Sequence, residues 1–140
     1  MRSLLRMVVG TGMDLTEVAR TLAAVDGRHG ARFRDRVYTA EEQRYCDSRG
    51  RGRGQSYAAR FAAKEATMKA LGVGWGKDAG FCDIEVRREA RGRPALLLSG
   101  AAAATARRMG ITHFHLSLTH TGGLAAAFVV AEKEDAAESD

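Results

Sequence analysis

Apolar residues recur along the chain either with the alternation typical of a strand or with the 3.6-residue period typical of a helix. These patterns predict a series of short strands and helices. The run 4–11, with five apolar residues out of eight, predicts a buried strand, and apolar positions at helical spacing follow over 15–25. The longest helical pattern covers 55–71 and ends where Gly72 opens a glycine-rich segment. The other predicted elements are helices over 40–48 and 100–109 and strands over 81–88, 95–98, 111–118 and 124–131.

Capping residues mark the starts of three of these helices. Asp14 with Glu17 fits a capping box at the first helix. Thr39 with Glu42 fits another, and Ser99 fits an N-cap at the last helix. A glycine-rich turn between the last two strands is a hairpin signal. Since strands and helices are mixed, we predict an α+β fold in which antiparallel strands pack against the long central helix.

Two segments have no regular apolar pattern. The alternating arginines and glycines of 49–54 predict a mobile loop. The acidic residues 133–140 predict a disordered tail. Residues 1–132, which include the segment 49–54, have no linker that would divide them and no repeat at a fixed period, so they are predicted to form a single domain.

Composition and charge narrow the class of protein. Of the 140 residues 45% are hydrophobic, and no apolar run reaches the ~18 residues of a membrane span. The N-terminus is too short and too basic for a signal peptide, and Cys46 and Cys82 do not make a disulfide framework, so we expect a cytoplasmic location. The net charge of +5 favours an anionic partner, which could be a nucleic acid, a phosphorylated ligand or an acidic protein.

The central helix carries charged residues although its apolar and small residues occupy two faces. Such a helix is mostly buried, and a buried charge is costly unless it is paired or coordinates a metal. Glu65 and Lys69 are therefore candidates for chemistry, but an exposed i,i+4 ion pair explains them equally well. Lys64 lies within the apolar stripe, from which its ammonium could also extend to solvent.

Asp14 lies where the first predicted strand feeds a glycine-rich turn. A helix N-cap explains this carboxylate, and so does a role as ligand to a hard cation. Together with Glu65 it would supply the one or two carboxylates that commonly hold Mg²⁺ beside a substrate phosphate.

The histidines near the C-terminus have structural explanations as well as functional ones. His113 and His115 share a strand face with Ser117, where packing or a subunit interface is the simpler explanation. His120 lies in a Thr-His-Thr turn, which suits an anion-binding corner and is nearly as well explained as a plain hairpin turn.

Five motifs, in order along the chain, resemble those of the holo-[acyl-carrier-protein] synthases, the small bacterial type of 4′-phosphopantetheinyl transferase. The resemblance covers about residues 8–132, and five motifs in this order are specific although each is short. The motifs are Gly10–Leu15, Arg60–Ala70, Phe81–Val86, Gly92–Pro94 and Ser117–Thr121.

The resemblance implies an enzyme with the 4′-phosphopantetheinyl transferase fold. Such an enzyme transfers the 4′-phosphopantetheine arm of coenzyme A to a serine of apo acyl carrier protein and releases adenosine 3′,5′-bisphosphate, in support of fatty-acid or polyketide biosynthesis. The resemblance also implies Mg²⁺ dependence and a homotrimer with active sites between subunits.

The resemblance also implies roles for individual residues. By position, Asp14 and Glu65 resemble the Mg²⁺ ligands, and Lys69 resembles the lysine beside the diphosphate. Either Glu65 or a metal-bound water could accept the serine proton. Arg20 and Arg28 resemble the basic residues that meet the acidic carrier protein. Coenzyme A contacts are implied for Arg60, Lys64, Gly92, Arg93, Pro94, Ser117, Thr119, His120 and Thr121.

Two rival functions are compatible with parts of the sequence. A nucleic-acid-binding module could use the Arg-Gly segment 49–54, but aromatic residues are only 6% of the chain and predict no stacking platform. A non-catalytic interaction protein of the same fold would not need the set of Asp14, Glu65 and Lys69. We therefore expect neither a nucleic-acid partner nor a membrane.

Overall fold

The computed structural model describes residues 4–136 of the chain. It contains ten principal elements, with short 3-10 turns at Gly50–Gly52 and Phe81–Asp83. Within the described residues no helix is long and apolar enough to cross a membrane. The helices are α1 (Val18–Val25), α2 (Gly30–Val37), α3 (Ala40–Asp47), α4 (Arg53–Leu71) and α5 (Gly100–Arg108). The strands are β1 (Leu4–Glu17), β2 (Ile84–Arg88), β3 (Pro94–Leu98), β4 (His113–Thr121) and β5 (Leu124–Ala136).

The long helix α4 packs across one face of a three-stranded antiparallel sheet in the order β1-β5-β4. The strands β2 and β3 form a separate antiparallel hairpin. A tight turn joins β4 to β5, where Gly122 has the positive φ of 56° that favours glycine. The core is made by small residues of α4 against β5, which are Ala62, Ala63, Ala66, Ala70, Ala127, Val129 and Ala131.

Two glycines of the first motif let β1 approach α4 closely. A Cβ atom on Gly12 would lie 1.8 Å from the carbonyl oxygen of Ala66, and one on Gly10 would lie 2.1 Å from that of Ala70. Both distances are shorter than any real contact of a Cβ atom, so only glycine fits without moving the backbone. The glycines therefore bring Asp14, two residues after Gly12, toward α4.

We expect Gly12→Ala to destabilise the protein by roughly 1–3 kcal/mol, because the new methyl group forces β1 and α4 apart. Gly74→Ala is the matched control, since a Cβ atom there meets nothing within 4 Å and its φ is not positive. Chemical denaturation of both variants measures the difference. Equal stabilities for the two variants would contradict the tight approach of β1 to α4.

A buried ion pair links α4 to α3 and β2. The side chain of Lys64 is wholly buried, and its ammonium donates to Glu42 Oε1 at 2.7 Å and to the carbonyl oxygens of Phe81 and Ile84. Glu42 also forms the predicted capping box with Thr39, which is confirmed. The expectation that Lys64 extends to solvent is wrong, because its ammonium has its partners inside the protein.

The strand β1 is longer than predicted, which changes the position of Asp14. Pairing with β5 continues to Glu17, opposite Leu124 at the hairpin turn, so Asp14 lies in a strand and not at a helix end. The helix α1 starts at Val18, and Glu17 makes no side-chain capping bond there. The N-cap interpretation of Asp14 is therefore wrong.

The Arg-Gly segment is ordered, which contradicts the predicted mobile loop. A 3-10 turn covers Gly50–Gly52, and α4 begins directly after it at Arg53. The Arg53 guanidinium donates to both oxygens of Asp26, at 2.8 and 2.9 Å, and to Asp47 at 2.9 Å. These bonds hold the segment between α1 and α3.

Two further differences concern elements with weak sequence signals. The helix α2 is unpredicted, since its eight residues include three arginines and few apolar positions. The strand β5 continues to Ala136, where it pairs with the start of β1. The prediction of a disordered tail is therefore wrong for residues 133–136. The last residues of the predicted tail, 137–140, lie outside the described residues.

Candidate active site

Asp14 and Glu65 line one cavity of about 410 Å³ between β1, α1 and α4. The close approach of β1 to α4 places the two carboxylates there from opposite sides. Arg20 of α1 lies in the same wall, and Phe33 and Phe61 supply apolar surface. Glu17 is a third acid in the lining, so the cavity combines three acids, one cation and aromatic surface.

Lys69 contacts Asp14 rather than Glu65. Its ammonium donates to Asp14 Oδ1 at 3.2 Å and to the carbonyl oxygen of Met13 at 2.9 Å. The hydroxyl of Thr16 donates to the other oxygen of Asp14 at 3.0 Å. The alternative of an exposed Glu65–Lys69 pair is therefore wrong, and both oxygens of Asp14 are held in a fixed orientation.

The environment of Glu65 raises the pKa of its carboxyl. Burial is the main cause, the negative charge of Asp14 adds to it, and the charge of Lys69 opposes it. A cation between the two carboxylates would stabilise both in the charged form, and carboxylate oxygens are the ligands that Mg²⁺ prefers. Residues 4–136 contain no cluster of three or more metal-ligating side chains, so a cation held here would take its remaining ligands from water or substrate.

A second cavity, of about 290 Å³, brings together Arg60, Thr119 and His120. Arg60 is only 2% exposed, and its Nη1 donates to the hydroxyl of Ser56 at 2.9 Å. Its Nε atom has no hydrogen-bond partner among the described residues. A buried donor without a partner is costly, and an anionic ligand in this cavity would satisfy it.

Three arginines surround the ring of Tyr45 beside this cavity. The guanidinium carbons of Arg60, Arg49 and Arg88 lie 4.3, 5.3 and 5.8 Å from the ring centroid. Sequence analysis did not select Tyr45, Arg49 or Arg88, because they come from three separate segments. The sequence indicated these residues only by their types, and arginine is too common in this chain for its type alone to mark a site.

The predicted turn at Gly92–Pro94 joins β2 to β3, away from the other predicted contacts. Arg93 and Pro94 line a third cavity, of about 330 Å³, together with Phe114 and His115. Arg88 links this turn to the second cavity. It lines that cavity, and its Nη1 donates to the carbonyl oxygen of Gly92 in the turn at 2.6 Å.

The remaining predicted site residues lie outside these groupings. Ser117 and Thr121 are exposed on β4, and neither lines the cavities described above. Arg28 is exposed between α1 and α2. The ammonium of Lys64 faces Glu42 inside the protein, so the expected contact of Lys64 with coenzyme A is corrected to a structural role.

Comparison with known proteins confirms the resemblance over about nine tenths of the chain. A sequence model of the 4′-phosphopantetheinyl transferase superfamily matches residues 10–129. The holo-[acyl-carrier-protein] synthase of Solibacter usitatus is 45% identical over 126 residues, which cover 90% of this chain and 99% of that protein.

Two solved structures share the fold. The crystal structure of holo-[acyl-carrier-protein] synthase from Neisseria meningitidis has a TM-score of 0.82 at 32% identity and covers 91% of this chain and 100% of its own. The Bacillus anthracis synthase, in complex with CoA (3′,5′-ADP), has a TM-score of 0.75 at 37% identity. The match covers 91% of this chain and 98% of that protein. The predicted α+β fold is confirmed, and the chain therefore belongs to the 4′-phosphopantetheinyl transferase superfamily and is a transferase.

Proposed function

We propose that this transferase moves the 4′-phosphopantetheine arm of coenzyme A onto a serine of apo acyl carrier protein in the cytoplasm, with Mg²⁺ held by Asp14 and Glu65. The observation that carries the proposal is the convergence of these two carboxylates in one cavity, with Lys69 bonded to Asp14. The relatives support it, since they are named for acyl carrier protein and one is in complex with CoA (3′,5′-ADP). Intact-protein mass spectrometry of the carrier protein tests it.

The residues of the first cavity suit phosphoryl-type transfer, which needs positioning and charge neutralisation more than covalent help. When bound, Mg²⁺ supplies Lewis-acid stabilisation of charge on the diphosphate. Thr16 and Lys69 fix the oxygens of Asp14. The ammonium of Lys69 is half exposed, and its third hydrogen is available to stabilise charge on the leaving group.

Coenzyme A is an anion, and the second cavity, which contains Arg60, suits one of its phosphate groups. The unpartnered Nε of Arg60, the neighbouring Arg49 and Arg88, and His120 all offer donors to phosphate oxygens. An arginine binds phosphate at such a site better than a lysine does, because its planar guanidinium group donates two hydrogen bonds at once.

The metal-binding and anion-binding residues face different sides of one protomer. Asp14 lies on β1 and His120 on β4, which are the two outer strands of the sheet. Glu65 and Arg60 are five residues apart on α4 and so point roughly 140° apart around its axis. We therefore propose that one complete site combines the first cavity of one subunit with the second cavity of its neighbour.

The outer face of the sheet supports assembly of subunits, and the resemblance to the synthases is the reason to propose a homotrimer. Met13, Leu15, Leu124 and Phe128 are all exposed on strands β1 and β5, with exposed fractions of 60%, 64%, 41% and 44%. These residues alternate with those that pack against α4, so they share the face opposite the helix. A contiguous apolar face of this kind marks an interaction site, and we propose that it is buried between subunits.

Mixing two inactive variants tests a site shared between subunits. In co-expressed trimers of Asp14→Asn and Arg60→Gln subunits, we expect about a quarter of the sites to combine an intact Asp14 with an intact Arg60 from the neighbour, and activity to return in proportion. A mixture of Asp14→Asn with Glu65→Gln is the matched control, since these residues share one cavity and no intact site can form.

The outcome distinguishes the two arrangements of the site. No recovery in the first mixture, with both variants shown to co-assemble, would place the complete site within one subunit. A parallel mixture with His120→Ala addresses the same cavity at an exposed position, where a loss of folding is not expected.

Arg20 and Arg28 are proposed to meet the carrier protein. Arg20 lines the cavity that holds Asp14 and Glu65, and Arg28 lies exposed just beyond the same helix. Positive charge at the mouth of the site would attract an acidic partner and speed its encounter.

A further inference from the structure

The second cavity contains a concentration of positive charge that the protein itself does not neutralise. The side chains of Arg49, Arg60 and Arg88 all line this cavity. Among residues 4–136 none of the three forms a salt bridge, although Arg60 is only 2% exposed. A buried cation is costly unless it is paired, so these arginines indicate a site that an anionic ligand completes.

Tyr45 of α3 is the residue that the three guanidinium groups share. Their central carbons all lie within about 6 Å of its ring centroid, which is the range of a cation–π contact. The arginines come from different elements, since Arg49 follows α3, Arg60 lies on α4 and Arg88 ends β2. Like charges at such short range repel one another, and the electron-rich face of the ring offsets part of that repulsion. Tyr45 therefore holds together three cations that would otherwise move apart.

The contacts of Arg60 fix the orientation of its guanidinium group and leave part of it free for a ligand. The guanidinium carbon lies over the ring of Tyr45, 4.3 Å from the centroid, and Nη1 donates to the hydroxyl of Ser56 at 2.9 Å. The five N–H donors of an arginine lie in one plane, so an aromatic ring against its face leaves the donors at its edge unused. Two such donors can bind one phosphate group together.

We infer that Tyr45 is a positioning residue for the binding of coenzyme A, an inference that rests on the proposed function. The ring acts through the arginines, because it keeps them together before the ligand arrives and so lowers the cost of ordering them on binding. A carboxylate in its place would neutralise the arginines and compete with phosphate, whereas an aromatic ring leaves their charge available. Direct stacking of the adenine base on Tyr45 is the less suitable role, because Arg60 already covers the ring.

Replacement of the ring by an aliphatic side chain of similar size tests this role. Tyr45→Met should weaken the binding of coenzyme A roughly tenfold in calorimetry and raise its KM by a similar factor, with the KM for carrier protein within a factor of two. Tyr45→Phe should keep most of the affinity, since it retains the ring face that contacts the arginines. Trp75→Met is the matched control, because it also removes a ring in contact with an arginine, but that ring lies outside the second cavity. It should leave the binding of coenzyme A unchanged.

A double-mutant cycle with Arg60→Gln separates positioning from direct contact with the ligand. Arg60→Gln should still bind coenzyme A weakly, and in that background Tyr45→Met should cost only about twofold in affinity, because the main contact of the ring is already lost. The same tenfold loss in both backgrounds would overturn the inference, and so would an unchanged affinity in Tyr45→Met or an equal loss in Tyr45→Phe.

A parallel cycle with Tyr45→Leu, with circular dichroism of every variant, ensures that a loss of folding in one variant does not decide the result. None of the overturning results would affect the proposed function, which fails only if the wild-type enzyme does not modify carrier protein.

Discussion

Asp14→Asn and Glu65→Gln are each expected to lower phosphopantetheine transfer roughly 100-fold or more while the protein stays folded. The two carboxylates line one cavity, and the proposed cation would be held there by both charges. Amide groups keep the size and some hydrogen bonds of the carboxylates but lose the charge that holds Mg²⁺. Initial rates at limiting Mg²⁺, with circular dichroism to verify folding, measure the effect.

Glu17→Gln is the matched control for the loss of a carboxylate. Glu17 lines the same cavity, but Thr16 and Lys69 bond to Asp14 and not to the carboxylate of Glu17, so we expect its replacement to keep nearly normal activity. Near-normal activity of Asp14→Asn or Glu65→Gln at limiting Mg²⁺ would exclude that residue as a metal ligand. Equal losses in all three variants would indicate a general effect of charge in the cavity.

Lys64→Met is expected to lower the free energy of unfolding by about 3–5 kcal/mol, because it leaves the buried carboxylate of Glu42 without its cation. Glu42→Gln should cost a similar amount, since it leaves the ammonium buried. If the two residues act as a pair, Lys64→Met should cost less in the Glu42→Gln background than in the wild type. Urea denaturation of the four proteins gives the coupling free energy.

Lys77→Met provides the surface control for this pair. Lys77 is exposed, so its replacement should change stability by less than about 0.5 kcal/mol. A loss for Lys64→Met no larger than that of Lys77→Met, or the same loss in both backgrounds, would contradict a structural role for the ion pair. Such a result would restore Lys64 as a candidate for contact with substrate.

The sequence predicted correctly those features of the fold that depend on residues close together in the chain. The helix α4 ends at Gly72, as predicted, because a glycine in the left-handed conformation closes it. The capping box of Thr39 and Glu42 formed as predicted, because both partners lie within one turn. The proximity of Asp14 and Glu65 came from motifs rather than from periodicity, and it depends on the two glycines that precede Asp14.

Long-range partners explain what the sequence did not reveal. The extension of β1 through Asp14 depends on pairing with β5, at the other end of the chain. The order of the Arg-Gly segment depends on Asp26, a residue of a distant turn. The arginines around Tyr45 converge from three segments, so no local spacing could indicate the second cavity. The Lys64–Glu42 pair shows the same limit, since burial of both partners depends on how α3 packs on α4.

The most direct test of the proposed function is intact-protein mass spectrometry of apo acyl carrier protein after incubation with the enzyme, coenzyme A and Mg²⁺. We predict that the carrier protein gains the mass of one phosphopantetheine group, that the gain needs Mg²⁺, and that it is lost when the acceptor serine is replaced by alanine. An unchanged mass for fatty-acid and polyketide carrier proteins alike, with a folded enzyme and saturating coenzyme A, would contradict the proposal.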